Sequence, residues 1–349
     1  MRVALITDQH FGARGDSAQC LDYYEKFYST VFFPKLKTER ITTVIILGDT
    51  FDRRKFINLN TLYRTKEMFF SRLYEAGIDV IMITGNHDAY YRNTNLVNSP
   101  QLTLVEYSNI IAVSKPETFN VHGVPICFLP WICADNMSDS MEEINGSAAK
   151  ICMGHLEVAG FAMYRGMQSH EGLSKSLLQK FDMVFSGHYH HKSDDGHIYY
   201  LGNPYELTWN DYKDPRGFHL FDLETRQLEF IVNPYTLFER FEYSDTTSES
   251  FDATIFKDKY VKIVVLSKTN HYKFDQFINK VYAADPLDVK IIEDLTEFNT
   301  GEVAENIDLE DTGSVLENYI DSIHTDVDKQ VVKDFMRSLY LEALNKDVV

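Results

Sequence analysis

The sequence predicts an α/β protein made of a two-sheet domain, a small α+β domain and a C-terminal helical tail. Three features of its 349 residues support this fold class. In the N-terminal part, apolar runs of strand length alternate with helix-like segments, which is typical of layered α/β domains. Shorter alternating runs follow and indicate a second sheet. From Gly217 onward, a hairpin pattern precedes a strand–helix–strand pattern.

The N-terminal strands are predicted from short apolar runs that end at polar residues. Residues 3–7, 44–47 and 79–83 form three such runs. Short runs rich in β-branched residues are typical of buried parallel strands. Apolar side chains recur at helical spacing over residues 17–33, and Gly77 is placed to end a further helix. Because ligands bind at the carboxyl ends of parallel strands, the polar residues after each run are candidate site residues.

The second sheet is predicted from residues 110–113, 119–121 and 125–129, where the apolar runs are short and alternating. Two further strand-like stretches, 150–153 and 182–185, lead into glycine–histidine pairs. The pattern of a strand followed by candidate ligands therefore recurs beyond the first sheet.

Domain boundaries are predicted from changes in composition. Residues 1–210 carry the strands and candidate ligands, and residues 211–293 form the small domain. Residues 294–311 are acidic and poor in apolar side chains, as expected of a linker. Residues 312–349 predict two amphipathic helices. Two short helices cannot bury their apolar stripes alone, so they either fold back on this chain or dock on a partner.

The formal net charge of −18 at pH 7, taken alone, argues against a nucleic-acid binder, because such proteins usually present basic surfaces. The argument weakens if the acidic residues lie away from the binding face or serve a metal site. The first apolar run is too short for a signal peptide, and no run approaches the roughly 20 apolar residues of a membrane span. We therefore expect a cytoplasmic location (the host cytoplasm if the protein is viral) and no membrane partner.

Polar residues at the predicted strand ends indicate a metal site. Aspartate, asparagine and neutral imidazole suit Mn²⁺, Fe²⁺ or Zn²⁺ better than Mg²⁺ alone. Even without His87 the set is too large for one ion, so it predicts two ions that share a bridging carboxylate. Two ions about 3.5 to 4 Å apart are typical of phosphoester hydrolysis. The residues are Asp8, His10, Asp49, Asn86, His87, His155, His188 and His190.

Five motifs give the chain a specific resemblance to the calcineurin-like metallophosphoesterases, in the family's order and over residues 1–205. The motifs are Asp8-x-His10, Gly48-Asp49, Gly85-Asn86-His87-Asp88, Gly154-His155 and Gly187-His188-x-His190. Within that superfamily the chain resembles the SbcD and meiotic-recombination nucleases, and in particular the recombination endonuclease subunits of tailed phages. The supporting stretches are 48–52, 129–131 and 200–204. The resemblance implies a two-sheet metallophosphoesterase sandwich with a capping domain at 211–293 and a helical tail.

The resemblance also implies roles for the site residues. One ion would be held by Asp8, His10, Asp49 and His190, and the other by Asp49, Asn86, His155 and His188. The side chain of His87 would face the scissile phosphate and stabilise its charge or protonate the leaving oxygen. Asp52, where many relatives carry histidine, is the second candidate catalytic residue. Mn²⁺ is the expected metal, with Mg²⁺ as the alternative.

The function implied by the resemblance is a metal-dependent DNA nuclease, with 3′–5′ exonuclease activity on double-stranded DNA and endonuclease activity on single strands. Such nucleases form homodimers and work in recombination and DNA end processing with a coiled-coil ATPase of the SbcC type, which residues 312–349 would bind. Arg53, Arg54 and Lys55 either contact DNA phosphates or form a solvated loop. Two alternatives stay open: a phosphoesterase for phosphoproteins or small phosphodiesters, and a scaffold that retains a structural metal site.

Overall fold

The computed structural model describes residues 1–164, 167–247, 251–293, 320, 329–333 and 335–336. The chain forms two compact units, Met1–Glu293 and Asp294–Val349. In the second unit, residues 320, 329–333 and 335–336 are helical. The predicted acidic linker, 294–311, and most of the predicted helical segment, 312–349, lie outside the described residues. Among the described residues, no helix combines the length and apolar character that crossing a bilayer requires.

The first unit contains strands and helices in alternation. Its strands are β1 (Arg2–Ile6), β2 (Thr43–Ile46), β3 (Asp79–Ile83), β4 (Ile110–Val113), β5 (Glu117–Val121), β6 (Val124–Leu129), β7 (Ile151–Gly154), β8 (Ala162–Tyr164), β9 (Met167–Gln168), β10 (Met183–Ser186), β11 (Ser193–Asp194), β12 (Ile198–Tyr200), β13 (Gly217–Asp222), β14 (Leu228–Val232), β15 (Phe238–Ser244), β16 (Tyr260–Ser267) and β17 (Asp288–Glu293). Its α-helices are α1 (Ala13–Asp16), α2 (Ala18–Phe27), α3 (Phe33–Glu39), α4 (Leu59–Thr65), α5 (Ser71–Glu75), α6 (Ser99–Thr103), α7 (Met137–Gly146) and α8 (His271–Ala283). Tyr28–Phe32 and Lys66–Phe70 are π-helical turns that join α2 to α3 and α4 to α5.

Two six-stranded sheets form the large layered domain, which confirms the predicted two-sheet α/β class. The first has the order β14-β13-β1-β2-β3-β4, with β1 to β4 parallel. The second has the order β11-β12-β10-β7-β6-β5, with β12, β10, β7 and β6 parallel. The strands that precede candidate ligands therefore all lie in parallel segments, and their carboxyl ends carry the site.

Two predictions about sheet membership are wrong. Residues 110–113, expected in the second sheet, form β4 and pair with β3 in the first sheet. The hairpin of β13 and β14, expected in the small domain, pairs with β1 and extends the same sheet. Periodicity identifies a strand but not its neighbour, which is decided by long-range packing. The division into domains at 1–210 and 211–293 otherwise stays a prediction.

Alternate side chains of the first sheet serve two different cores. Val3 and Leu5 pack between the two sheets, together with Phe128 and Phe185 from the second. Ala4 and Ile6 point to the opposite face, where the helices pack. This division follows from the two-residue period of a strand. Each fully buried aliphatic or aromatic side chain contributes about 1.5 to 3 kcal/mol, so burial on both faces fixes the strand ends firmly.

The small α+β part consists of a parallel three-stranded sheet, β15-β16-β17, with α8 on one face. The predicted strand–helix–strand pattern corresponds to β16, α8 and β17. Phe277 and Val281 of the helix pack on Val261 and Ile263 of the central strand. The start of β15 is tied to the large domain, because the main-chain N–H groups of Leu237 and Phe238 donate to the carboxylate of Glu206, at 2.6 and 2.9 Å.

Candidate metal centre

The loops after β1 and β2 lie side by side and carry the first candidate ligands. The main-chain N–H of Asp8 donates to the carbonyl of Gly48 at 3.0 Å, and that of His10 donates to the carbonyl of Asp49 at 3.1 Å. These bonds continue the parallel ladder beyond the strands. They bring the side chains of Asp8, His10 and Asp49 to one edge of the sheet.

Four of the candidate ligands have left-handed backbone conformations. The φ angles are 50° for Asp8, 44° for His10, 50° for Asp49 and 84° for His188. A non-glycine residue in such a conformation costs on the order of 1–3 kcal/mol and persists where the surroundings impose it. The shared strain is typical of a functional site, because it turns these side chains toward one another.

Glycines in two of the motifs allow the ligands to approach the main chain closely. A Cβ atom on Gly48, whose φ is +94°, would lie 2.4 Å from Nδ1 of His155. A Cβ atom on Gly187 would lie 2.1 Å from Oγ1 of Thr7 and 3.0 Å from Oδ2 of Asp8. Substitution at either position would displace a candidate ligand, which explains why glycine precedes the ligand in both motifs.

The first ligand group consists of Asp8, His10 and His190, whose donor atoms all lie within 4.8 Å of one another. Nε2 of His10 and Nε2 of His190 are 3.1 Å apart. The carboxylate of Asp8 accepts the hydroxyl of Thr7 at 2.8 Å and the main-chain N–H of His188 at 3.1 Å. The β1 loop and the loop after β10 therefore meet at this group.

The second ligand group consists of Asp49, Asn86, His155 and His188. The donor atoms of Asp49, His155 and His188 lie within 4.8 Å of one another. Nδ1 of His155 donates to the carbonyl of Leu47 at 2.8 Å, which leaves Nε2 as an electron-pair donor, 2.9 Å from Oδ1 of Asn86. Nδ1 of His188 lies at the same distance, 2.9 Å, from that amide oxygen.

Asp49 lies between the two groups. Its Oδ2 is 3.7 Å from Nε2 of His10 and 3.4 Å from Nε2 of His155. Its other oxygen, Oδ1, accepts the main-chain N–H of His87 at 2.7 Å. One carboxylate oxygen thus faces a histidine of each group, as a ligand shared by two ions would.

The charges of the buried site fit divalent cations. Burial raises the pKa of Asp49, but the positive charges of His155 and His87 outweigh it and hold that pKa well below its usual value. Burial opposes protonation of His155, yet the charge of Asp49 raises its pKa to about 9. Burial and the nearby His155 lower the pKa of His188 to about 3. Cations bound here would replace the protons that now balance the carboxylates, so binding releases protons.

His87 lies beside the ligand groups. Its side chain is half-buried, as are those of the predicted ligands His188 and His190, whereas Asp49, Asn86 and His155 are buried. Its Nδ1 donates to the main-chain carbonyl of Asp52 at 2.6 Å, and its ring packs edge-on against His10 with centroids 4.8 Å apart. Because a carbonyl only accepts, Nδ1 carries the proton and Nε2 remains for a substrate. A donor atom of His87 also lies within 4.8 Å of donor atoms of His10 and Asp49, so the geometry allows a ligand role as well, and the non-ligand role stays a prediction.

The carboxylate of Asp52 contacts a candidate ligand. Its Oδ1 lies 3.3 Å from Nδ1 of His10, on the opposite side of the ring from the Nε2 that faces Asp49. Burial raises the pKa of Asp52, but its hydrogen bond with His10 outweighs this effect and lowers it. A carboxylate behind a metal-binding histidine fixes the ring orientation and increases its basicity. The contact supports a positioning role through His10, and the catalytic assignment of Asp52 stays a prediction.

Replacing Asp52 tests this contact. We expect Asp52→Ala to weaken binding of the ion at the first ligand group by about 10- to 100-fold, as for other carboxylates behind metal-bound histidines. Asp52→Asn should cost less, since its amide oxygen can still accept from Nδ1 of His10. Calorimetric titration with Mn²⁺ measures both affinities, and exposed Asp182→Asn is the control. Equal affinities in wild type and Asp52→Ala would contradict the role.

Asp88 belongs to one of the five motifs, but the sequence alone assigns it no role. Its buried carboxylate accepts the main-chain N–H groups of Thr50 at 3.1 Å, Phe51 at 3.2 Å and Gly85 at 3.0 Å. It therefore ties the loop that carries Asp49 to the loop that carries Asn86. A local signal for this contact exists, because a carboxylate directly after Gly85-Asn86-His87 is placed to bind nearby N–H groups.

Comparison with known proteins identifies the family of the chain. The sequence model of the calcineurin-like phosphoesterase family matches residues 1–192. Exonuclease subunit 1 of Enterobacteria phage T4 is 31% identical over 357 residues, which cover 98% of this chain and 99% of the phage protein. A subunit of the nuclease SbcCD from Staphylococcus saprophyticus is 21% identical, and the match covers 93% of each chain. Among solved structures, a dimetal phosphatase from Danio rerio matches with a TM-score of 0.38 and 15% identity, over 63% of this chain and 91% of that chain.

The matched region contains all five motifs and both ligand groups. The family match spans more than half of the chain, and the phage relative aligns over nearly its whole length. These findings confirm the resemblance that the motifs indicate. The chain therefore belongs to the calcineurin-like phosphoesterase family.

Proposed function

We propose that this protein is a two-metal DNA nuclease, the nuclease subunit of an ATPase–nuclease complex for recombination and DNA end processing. The single observation that carries the proposal is the position of Asp49 Oδ2 between the two ligand groups. The relatives support DNA as the substrate, because the phage protein is named an exonuclease subunit and the staphylococcal protein a nuclease subunit.

The candidate site residues have separate roles in the proposed reaction. When bound, two divalent ions activate water and neutralise negative charge on the phosphate. Asp8, His10 and His190 would hold one of them, and the second ligand group would hold the other, with Asp49 shared. His87, fixed through Nδ1, would face the scissile phosphate with Nε2; with a second proton on Nε2 it would stabilise the phosphate charge or protonate the leaving oxygen. Four imidazoles in the ligand set favour Mn²⁺ over Mg²⁺.

The loop after Asp52 is suited to a nucleic-acid substrate. The guanidinium of Arg53 lies 4.9 Å from the ring centroid of Phe56, and that of Arg54 lies 4.9 Å from that of Trp131. The main-chain N–H of Trp131 donates to Thr84, directly after β3. At the rim of the site, cationic side chains can bind nucleic-acid phosphates and aromatic rings can stack on bases. We propose that this rim contacts the DNA.

An assay on four substrates tests the proposal. We expect Mn²⁺-loaded protein to degrade end-labelled linear duplex DNA from the 3′ ends and to cleave single strands. It should hydrolyse a nitrophenyl phosphodiester and a phosphopeptide more slowly, and a chelator should stop all four reactions. If the protein hydrolysed the phosphopeptide but left DNA intact, the nuclease proposal would be wrong and the protein would be a phosphoesterase of another kind. Two bound ions without hydrolysis of any substrate would favour a scaffold.

The partner proposed for the tail is a coiled-coil ATPase of the SbcC type. In support, the matched staphylococcal relative is named as one subunit of SbcCD, and a chain with a net charge of −18 needs a partner for tight DNA binding. Deleting residues 305–349 should abolish co-purification with the ATPase and leave phosphodiester hydrolysis intact. Co-purification of the truncated chain would show that the tail is not the main contact.

A homodimer is proposed through α4. Leu59 and Tyr63, one helical turn apart, are 82% and 65% exposed, and the nearby Phe56 is 58% exposed. Three large apolar side chains on one surface favour burial against a second copy. Sedimentation should give a dimer for the wild type and for the control Leu102→Glu, and a monomer for Leu59→Glu. A dimeric Leu59→Glu variant would rule out this surface.

A further inference from the structure

We propose that the turn of residues 202–205 and the buried Arg216 form a positioning element for the first ligand group. This inference rests on the proposed two-metal function and adds residues to it. The turn contacts the main chain of both segments that carry this group, the one with Asp8 and His10 and the one with His190. It thereby sets the affinity for the ion held there.

Arg216 fixes the His190 segment. Its side chain is nearly fully buried, and Nη1 donates to the carbonyl of His190 and to Oδ1 of Asn203. Nη2 donates to the carboxylates of Asp211 at 2.8 Å and Asp214 at 2.7 Å, so two carboxylates balance the buried positive charge. The planar guanidinium holds several acceptors at fixed angles, which a lysine cannot do. The main-chain carbonyl of the candidate ligand His190 is thus held by a rigid hydrogen-bond network.

The turn of residues 202–205 also contacts the main-chain carbonyl of His190. The main-chain N–H of Asn203 donates to the carbonyl of His190 at 3.3 Å. Gly202 has a φ of +72°, and a Cβ atom there would lie 2.8 Å from the carbonyl oxygen of His190. The side chain of Asn203 also donates to Asp211 at 3.3 Å, which joins the turn to the Arg216 network.

Tyr205 connects the turn to the other segment of the first ligand group. Its hydroxyl donates to the carbonyl of Gln9 at 2.6 Å, and the amide of Gln9 donates to the hydroxyl of Tyr28 at 2.6 Å. Gln9 lies between Asp8 and His10, both of which have positive φ. A hydrogen bond to the peptide between two strained residues holds them in that conformation.

Two ligands of the second group are anchored by other contacts, since His155 donates to the carbonyl of Leu47 and Asp49 accepts from the main chain of His87. Only His188 shares a segment with the first group, through its main-chain bond to Asp8. Loosening the turn should therefore weaken one ion more than the other. A purely structural role of the turn would lower stability without this selectivity.

The substitution Tyr205→Phe tests the proposal, because it removes one hydroxyl and keeps the buried ring. We expect the Mn²⁺ affinity of the first ligand group to fall by about 10- to 100-fold and that of the second to fall much less. Excess Mn²⁺ should restore the hydrolysis rate. The matched control is Tyr24→Phe, since the Tyr24 ring stacks on Tyr205 at 3.9 Å and its hydroxyl has no hydrogen-bond partner among the described residues.

Calorimetric titration and thermal melting separate the outcomes. Two unchanged Mn²⁺ affinities in a folded Tyr205→Phe protein would overturn the positioning role, and so would equal weakening of both ions. Arg216→Lys provides a second variant, for which we also expect selective loss of the first ion. Failure of the wild type to bind two ions would instead refute the proposed function itself.

Discussion

Replacing Asp49 with asparagine is expected to remove both ions and to lower phosphodiester hydrolysis by roughly 10²- to 10⁴-fold, since metal ions contribute several kcal/mol of transition-state stabilisation. Its Oδ2 faces His10 in one ligand group and His155 in the other. If the single amide oxygen of asparagine keeps the bond to the main-chain N–H of His87, its NH2 group takes the place of Oδ2, and that group neither coordinates a cation nor offsets its charge. Mn²⁺ content by elemental analysis and the hydrolysis rate measure the two effects.

The comparison variant is His190→Ala, which removes a ligand of the first group only. It should lower the content of one ion and leave the other bound. If Asp49→Asn retained one ion at wild-type affinity, Asp49 would not be shared. Oδ1 of Asp49 accepts the main-chain N–H of His87, a bond that asparagine can keep, so the loop around His87 should remain in place.

Replacing His87 with alanine is expected to lower DNA cleavage by about 10²- to 10⁴-fold, the usual contribution of a proton-transferring side chain. Metal content should not change if His87 is not a ligand, since both predicted ligand groups are complete without it. Steady-state cleavage rates and elemental analysis of the same preparation check both statements.

The control for His87 is His271→Ala, an exposed histidine at the start of α8. It should cleave DNA at the wild-type rate. Full activity in His87→Ala would refute the role, whereas a parallel loss of metal would place His87 among the ligands. A substrate with a better leaving group should lose less rate in His87→Ala if this side chain protonates the leaving oxygen.

Much of the fold and site follows from local sequence. Runs such as 44–47 end at the residues that the structure places at strand ends, because a parallel strand buried on both faces needs a continuous apolar run. Sheet membership did not follow: β4 and the hairpin of β13 and β14 have the same periodicity as strands of either sheet. Their partners depend on contacts between residues far apart in the chain.

The residues that support the ligands could not be predicted from the sequence either. Arg216 and Tyr205 lie outside the metal motifs, and nothing in a lone arginine or tyrosine identifies the carbonyl that it will bind. The left-handed conformations of Asp8 and His10 are imposed by neighbouring loops, so no local propensity predicts them. The local sequence thus predicts which residues are candidate ligands, whereas their relative positions depend on tertiary contacts.

The positioning element has a consequence for biosynthesis. His10 contacts His190 at a sequence separation of 180 residues, and the carbonyl of His190 accepts from Arg216, which lies later still in the chain. Contacts between residues so far apart in sequence form slowly, because the intervening chain must first close into a loop. A chain still on the ribosome before Arg216 emerges has no complete support for the first ligand group. We therefore expect tight binding of that ion only after the segment with Arg216 has left the ribosome.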